Sequence, residues 1–336
     1  MPSVTVGDMR QQFLSTRLNT SLKNDLNTLV QELTTGQAAD LTAHLRGSQS
    51  SLTGLDRQLE LLGRFSQANS ETGQMLSVMQ TALAGIDSLR ESAATHLLTI
   101  NDSSTASQLS DAATAAKSSF ESTVSNLNLR SSGRAMFGGN DLDASPLADA
   151  DVMLDALRAE ISGLTTATDI ENAIDTWFDS PGGGFETVGY LGDSNGTQSR
   201  TTGANESVDI SVRADDSAFR DTLKALAKSA LSAEPAFGLG VEVQRDIQKQ
   251  SAVDLLSNAS DLVSVQARLG FVQEQVEEAT VRTIAQEASY GIARNELVSV
   301  DQFETASELQ SIQLQLETHY TLTARLSRLS LTEYLR

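Results

Sequence analysis

Three histidines, His44, His96 and His319, are the side chains here best suited to acid–base or metal chemistry. They lie far apart in sequence, and none falls in a metal-ligand spacing such as HExxH. His44 follows Asp40 by four residues, a spacing that a helix or turn explains without a metal. His319 sits beside Tyr320 in an apolar stripe and reads as packing or interface. The run Gly182-Gly183-Gly184 could cradle a phosphate only if a Lys-Ser/Thr pair and a helix followed. Neither does, and the run reads as a flexible turn. No GxSxG elbow occurs among the many serines. The pairs Asp141/Asp143 and Asp215/Asp216 stand among turn and cap residues, where aspartate serves the backbone. Asn195-Gly196-Thr197 is a glycosylation sequon that arises often by chance. No catalytic residue, cofactor or metal is expected, and the chain does not read as an enzyme.

What repeats instead is leucine at helical spacing. After a cap at Asp8, Leu14, Leu18, Leu22, Leu26, Leu29 and Leu33 follow at steps of four and three, one stripe on an otherwise polar helix over 8–34. Such a helix spans roughly 40 Å. Gly36 ends it, and residues 36–50 read as an irregular connector. A second helix is predicted over Leu52 to Ile100. Asn101-Asp102-Ser103-Ser104 is read as a stop and a new cap, and a third helix carries Leu109, Ala112, Ala116, Phe120, Val124 and Leu127.

The last hundred residues hold no proline and carry a heptad seam. One series is Leu255, Leu262, Leu269, Val276, Thr283, Tyr290 and Leu297; the other is Asn258, Val265, Val272, Ala279, Gln286, Ala293 and Val300. This predicts a long helix packed along another helix, with Leu255, Leu262, Val265, Leu269, Val272, Val276 and Leu297 as packing residues. The Leu52–Leu127 helices can supply its partner. A further stripe closes the chain: Leu309, Ile312, Leu316, Tyr320, Leu326 and Leu329. Chain ends usually fray. Apolar stripes at both ends therefore look built for burial, against each other or against other subunits.

The middle is different. Residues 131–140 break the helix, and prolines and glycines recur. Helices are predicted over 148–163, 169–178 and 218–231, and strands over 185–191 and 206–213. From Asn140 to Glu234 there are 18 acidic and six basic side chains, net −12 of the chain's −20. Residues 1–50 are net zero. An acidic, solvated module thus separates near-neutral ends. The overall acidity argues against binding nucleic acid through phosphates. No apolar run is long enough to span a membrane, and no cleavable signal peptide is visible. The absence of cysteine excludes disulfides and thiolate zinc.

The order of these parts resembles the flagellin superfamily, and within it the hook-associated protein 3 family of the hook–filament junction. The resemblance is carried by Ser132-Gly133-Arg134-Ala135-Met136-Phe137-Gly138-Gly139, Tyr190-Leu191-Gly192-Asp193 and Gln266-Ala267-Arg268-Leu269-Gly270. It continues in Asp301–Gln310 and the closing Ser330-Leu331-Thr332-Glu333-Tyr334-Leu335. Thr35-Gly36-Gln37-Ala38-Ala39-Asp40 departs from that family's pattern of a basic pair followed by Asp-Asp-Pro.

The resemblance implies a mainly α fold: an elongated rod of long helices from both termini with a small α+β insert. Its parts are a terminal coiled-coil assembly domain (1–45 with 301–336), a helical rod (46–139 with 240–300) and an outer insert (140–239). It implies a structural subunit of the extracellular bacterial flagellum, exported without a cleaved signal peptide. The implied partners are hook-associated protein 1, flagellin, further copies of itself in a ring, and an export chaperone, with no nucleic acid and no membrane. The assembly interface would comprise the N-terminal stripe, the C-terminal stripe, Leu331 and Tyr334. Flagellin itself is the alternative, and a secreted wall-active enzyme with helical targeting arms is a remoter one.

Overall fold

The computed structural model describes residues 6–131, 133–194 and 196–334, without the side chains of 6–8 and 326–334. It is mainly α. In chain order the helices are α1 (Val6–Thr35), α2 (Leu41–Leu45), α3 (Gln49–Leu98), α4 (Ala106–Leu127), α5 (Ala150–Glu160), α6 (Ala167–Asp179), α7 (Ser217–Ser232), α8 (Val241–Ser257), α9 (Ala259–Val298) and α10 (Gln302–Tyr334). Two antiparallel hairpins complete it: β1 (Arg130–Ser131) with β2 (Arg134–Ala135), and β3 (Gln198–Gly203) with β4 (Glu206–Ile210). The chain forms two compact units, residues 64–284 and residues 1–63 with 285–336.

The 64–284 unit is built around α7. Most of this helix is buried, polar Thr222, Lys228 and Ser229 included, because it packs on both α4 and α8. Phe120, Phe137, Phe178, Phe185 and Phe219 are fully buried in one continuous core, and the heptad residues Leu255, Leu262, Val265, Leu269, Val272 and Val276 join it. Lys228 lies on α7 itself, buried, between Asp175 at 2.7 Å and Asp254 at 3.4 Å. A buried ammonium needs such carboxylates to offset its lost hydration.

Two motifs separated in sequence prove to be one structural unit. The Phe137-Gly138-Gly139 turn packs on the Tyr190–Asp193 turn: Asp193 donates its backbone N–H to the Gly138 carbonyl at 3.0 Å, and the Tyr190 hydroxyl donates to the Asp193 carbonyl at 3.1 Å. Gly139 has φ +66°, and a Cβ there would lie 2.7 Å from the Asp193 oxygen, so only glycine fits.

Several local expectations are corrected. The heptad helix is broken at Asn258, which C-caps α8. Its buried Nδ2 donates to the Ala218 carbonyl and the Thr222 hydroxyl of α7 at 2.6 and 2.7 Å, so a polar group sits on the seam where a helix could have run through. The cap of α4 is Thr105 rather than the 101–104 cluster, because Thr105 and Gln108 satisfy each other's backbone in a capping box. Phe185–Gly189 is a π-helical turn, not a strand; Tyr190 donates back to the Phe185 carbonyl at 2.6 Å. Its apolar residues pack one-sidedly, with Phe185 stacked on Phe178 at 5.5 Å. Gly184 is not a flexible turn residue, since a Cβ there would stand 1.8 Å from the Trp177 Nε1. Strand β3 lies outside both predicted strands and pairs with β4. The connector after Gly36 is ordered, with Asp40 capping α2 through the backbone N–H groups of Thr42 and Ala43.

Candidate functional site

The candidate site lies in the 1–63/285–336 unit, where α1 and α10 pack together antiparallel. Each helix is bounded by local chemistry. Gly36, at φ +69°, closes α1 and donates its N–H to the Glu32 carbonyl at 2.8 Å. Asp301 opens α10 by accepting the N–H groups of Phe303 and Glu304 at 2.8 and 3.2 Å. Between them the chain is pinned. Ala38 donates to the Val298 carbonyl at 2.9 Å and Val300 to the Gly36 carbonyl at 3.2 Å. Leu45, Leu52 and Val298 form a small buried cluster with Leu41 and Leu297 against it, and Arg294 Nε meets Asp56 at 2.6 Å.

The seam alternates steps of four and three. On α1 it runs through Ser15, Asn19, Leu22, Leu26, Leu29 and Leu33; on α10 through Thr305, Leu309, Ile312, Leu316 and His319. This is coiled-coil spacing. Its middle is apolar, with Leu22, Leu29 and Leu316 buried. Its far end is polar, where Ser15 Oγ and His319 Nε2 are 3.2 Å apart. The seam spacing could have picked out Ser15, Asn19, Thr305 and His319 from sequence, had polar residues been allowed on it.

The structure places the predicted assembly residues in two groups. Leu22, Leu26, Leu29, Leu33, Leu309, Ile312 and Leu316 face the seam, buried or half-buried. Leu14, Leu18 and Tyr320 face outward, at 53%, 50% and 48% exposure. The geometry explains the split. Repeated steps of four, as in 14, 18, 22 and 26, drift about 40° per step around a helix of 3.6 residues per turn. The upper leucines therefore leave the seam that the lower ones occupy. Phe13, Leu314 and Leu322 are exposed as well. Leu326, Leu329, Leu331 and Tyr334 fall on α10, but their side chains lie outside the described residues. Of the predicted packing residues, Leu297 belongs to this unit's small cluster rather than to the larger core, because the heptad seam surfaces after Thr283.

Glu32, Asp40, His44, Asp301, Glu304 and Glu308 line an acidic recess beside the connector. Among the described residues no cluster of histidine and carboxylate side chains has metal-holding geometry, and no helix is long and apolar enough to cross a membrane. The arrangement offers burial and helix pairing rather than bond chemistry.

Residues 252–335 match the family described as the bacterial flagellin C-terminal helical region. The matched span takes in α9 and α10. The fold is that of a flagellar hook-associated protein. A structure assigned as such a protein from Vibrio parahaemolyticus superposes with a TM-score of 0.51 at 13% identity, covering 74% of this chain and 96% of that one. The crystal structure of Bacillus cereus FlgL aligns at TM-score 0.41 and 13% identity, over 72% of this chain and 95% of that one. Curated protein sequences yield no significant match.

Proposed function

We propose that this chain is a structural subunit of the bacterial flagellum that joins hook to filament. The observation that carries this reading is the α1–α10 pair. In a chain with a flagellin C-terminal region, the two terminal helices bind each other yet leave Leu14, Leu18 and Tyr320 outward, together with Phe13, Leu314 and Leu322. Large apolar side chains left exposed on a pair of terminal helices point to an interaction surface there. Residues 1–45 with 301–336 act as the assembly domain, 46–139 with 240–300 as the rod, and 140–239 as the acidic outer insert. The work is mechanical: burial of the outward rows of α1 and α10 between copies joins one helical lattice to the next. The partners on this reading are hook-associated protein 1, flagellin, further copies in a ring, and an export chaperone before assembly, with the mature protein outside the cell. No step of this function requires an enzyme site.

Flagellin is the second reading, favoured by the match to the flagellin C-terminal region itself. Immunogold labelling of isolated flagella separates the two. Label confined to the hook–filament boundary, at a few copies per flagellum, is the expected result. Label along the whole filament would assign the chain to flagellin, and no label on flagella would end both readings.

A further inference from the structure

The hairpin β3–β4 packs on α3 with a polar inner row. Along β3, Gln198, Arg200 and Thr202 are buried or half-buried while Ser199 and Thr201 are exposed. A strand lying on a helix normally turns apolar residues inward. Here Asn69 Nδ2 of α3 donates to the Thr202 carbonyl at 3.1 Å, and Arg200 Nη2 reaches Met75 Sδ at 3.6 Å, a weak acceptor. Arg200 Nε, Asn69 Oδ1 and both side-chain amide atoms of Gln198 are buried with no hydrogen-bonding partner among the described residues. Buried polar atoms left unpaired are costly and uncommon, and their concentration on one strand asks for a cause.

A recess of about 640 Å³ opens at this place, lined by α3, β1–β2 and β3. Arg134 enters it from β2 and Arg200 from β3. Burial, and then the like charge of Arg134, hold the Arg200 guanidinium below its usual pKa. Glu71 lines the same recess and its charge partly opposes that lowering, but its carboxylate accepts from Gln67 Nε2 at 3.0 Å and makes no hydrogen bond to either arginine. Arg90, Arg158, Arg213, Arg268, Arg282 and Arg294 each bond a carboxylate of their own chain. Arg134 and Arg200 have no such bond among the described residues; Arg130, Arg220 and Arg245 lack one too, but they bond backbone carbonyls or a ring, whereas Arg134 and Arg200 line one recess.

We propose that Arg134 and Arg200 form a receptor for a carboxylate, presented by an aspartate or glutamate of a second copy of this chain. Two guanidiniums lining one recess offer paired N–H donors of the kind that match a planar oxyanion. An incoming carboxylate would relieve their mutual repulsion. The occupant follows from charge complementarity: the insert has net charge −12, so a neighbouring copy offers carboxylates in excess. The second-copy source rests on the assembly proposed above; the carboxylate receptor does not.

The test uses the full chain, ¹⁵N-labelled at arginine, with citrate as probe. Saturable displacement of the Arg200 Nε–H resonance is expected, and Arg134→Gln should weaken citrate binding about tenfold while leaving the fold intact. Arg134→Lys, which keeps the charge but not the fork, should fall between the two. In parallel, sedimentation of the full chain at rising concentration should show salt-sensitive self-association that Arg134→Gln reduces. No saturable displacement by citrate would overturn the receptor. Citrate binding with self-association unchanged by Arg134→Gln would overturn the second copy as its occupant and assign the site to a free small carboxylate. Failure of the flagellar reading would show separately, in the labelling experiment, and would leave the citrate result standing.

Discussion

The 64–284 unit and the unit of the two chain ends solve the same packing problem with opposite results. The first closes on itself. It gathers five buried phenylalanines and the α7 helix into one continuous core, although Val263, Phe271, Val281 and Ile284 of α9 stay exposed outside it. The second spends one face of each terminal helix on the α1–α10 seam and turns another, with Leu14, Leu18 and Tyr320, to solvent. Both regions contain long helices, so helix formation does not distinguish them. What differs is how many faces find a partner within the chain. A helix buried all round is core, and one buried along a narrow seam is a helix waiting for neighbours.

This contrast can be broken by mutation. Phe219 is fully buried against Phe137, with ring centroids 6.1 Å apart. Phe219→Ala is expected to destabilise the 64–284 unit by about 3–5 kcal/mol in urea unfolding. A loss below about 1 kcal/mol would mean that this core is looser than described. Asn258→Ala removes a donor that serves Ala218 and Thr222, leaving those acceptors buried; the expected cost is about 1–3 kcal/mol in the same measurement. No loss would show that the break between α8 and α9 is a feature of the backbone alone.

The opposite expectation holds for the terminal helices. Leu18→Ala should change monomer stability by no more than about 0.5 kcal/mol, because the side chain is already half exposed, yet it should weaken assembly onto hooks. Unchanged assembly would remove Leu18 from the interface. The smallest effect is expected at Glu171, whose carboxyl pKa is raised by burial. With the folded value above the unfolded one, the ionised form costs stability at neutral pH, and that cost disappears as pH falls below the unfolded value. Glu171→Gln should therefore be neutral or slightly stabilising at pH 7 and indistinguishable from wild type at low pH. Destabilisation at pH 7 would show that the pairing of Glu171 with Lys228 outweighs its desolvation.

Much of the helical plan was legible in the sequence, because 3.6-residue periodicity survives wherever one face is buried. The stripe on α4 and the seam from Leu255 to Val276 are buried as their spacing predicts. Periodicity failed where burial depended on contacts distant in sequence. Asn258 sits on the seam and breaks it, for the sake of a hydrogen bond to α7 some 36 residues away. Phe185 to Tyr190 has a strand's composition, but it is a π turn, with Phe185 packed on Trp177 and Phe178 and Gly184 close against Trp177. On α1, attention to leucine alone hid the seam, whose upper positions are Ser15 and Asn19. Leu14 and Leu18 read as one stripe with Leu22, yet lie on a different face. The arginine pair in the β3 recess was invisible for a simpler reason. Arg134 and Arg200 are 66 residues apart, and nothing in the sequence around either marks it as lacking a carboxylate.

The central claim is that the terminal helices are completed by other copies and the 64–284 core is not. Hydrogen exchange on dilute full-length monomer tests it most directly. Amides of α1 from Met9 to Thr35 and of the described part of α10 should exchange orders of magnitude faster than those of α7, and should gain protection once the chain is assembled on hooks. Protection of α1 equal to that of α7 in the monomer, or unchanged on assembly, would contradict the account.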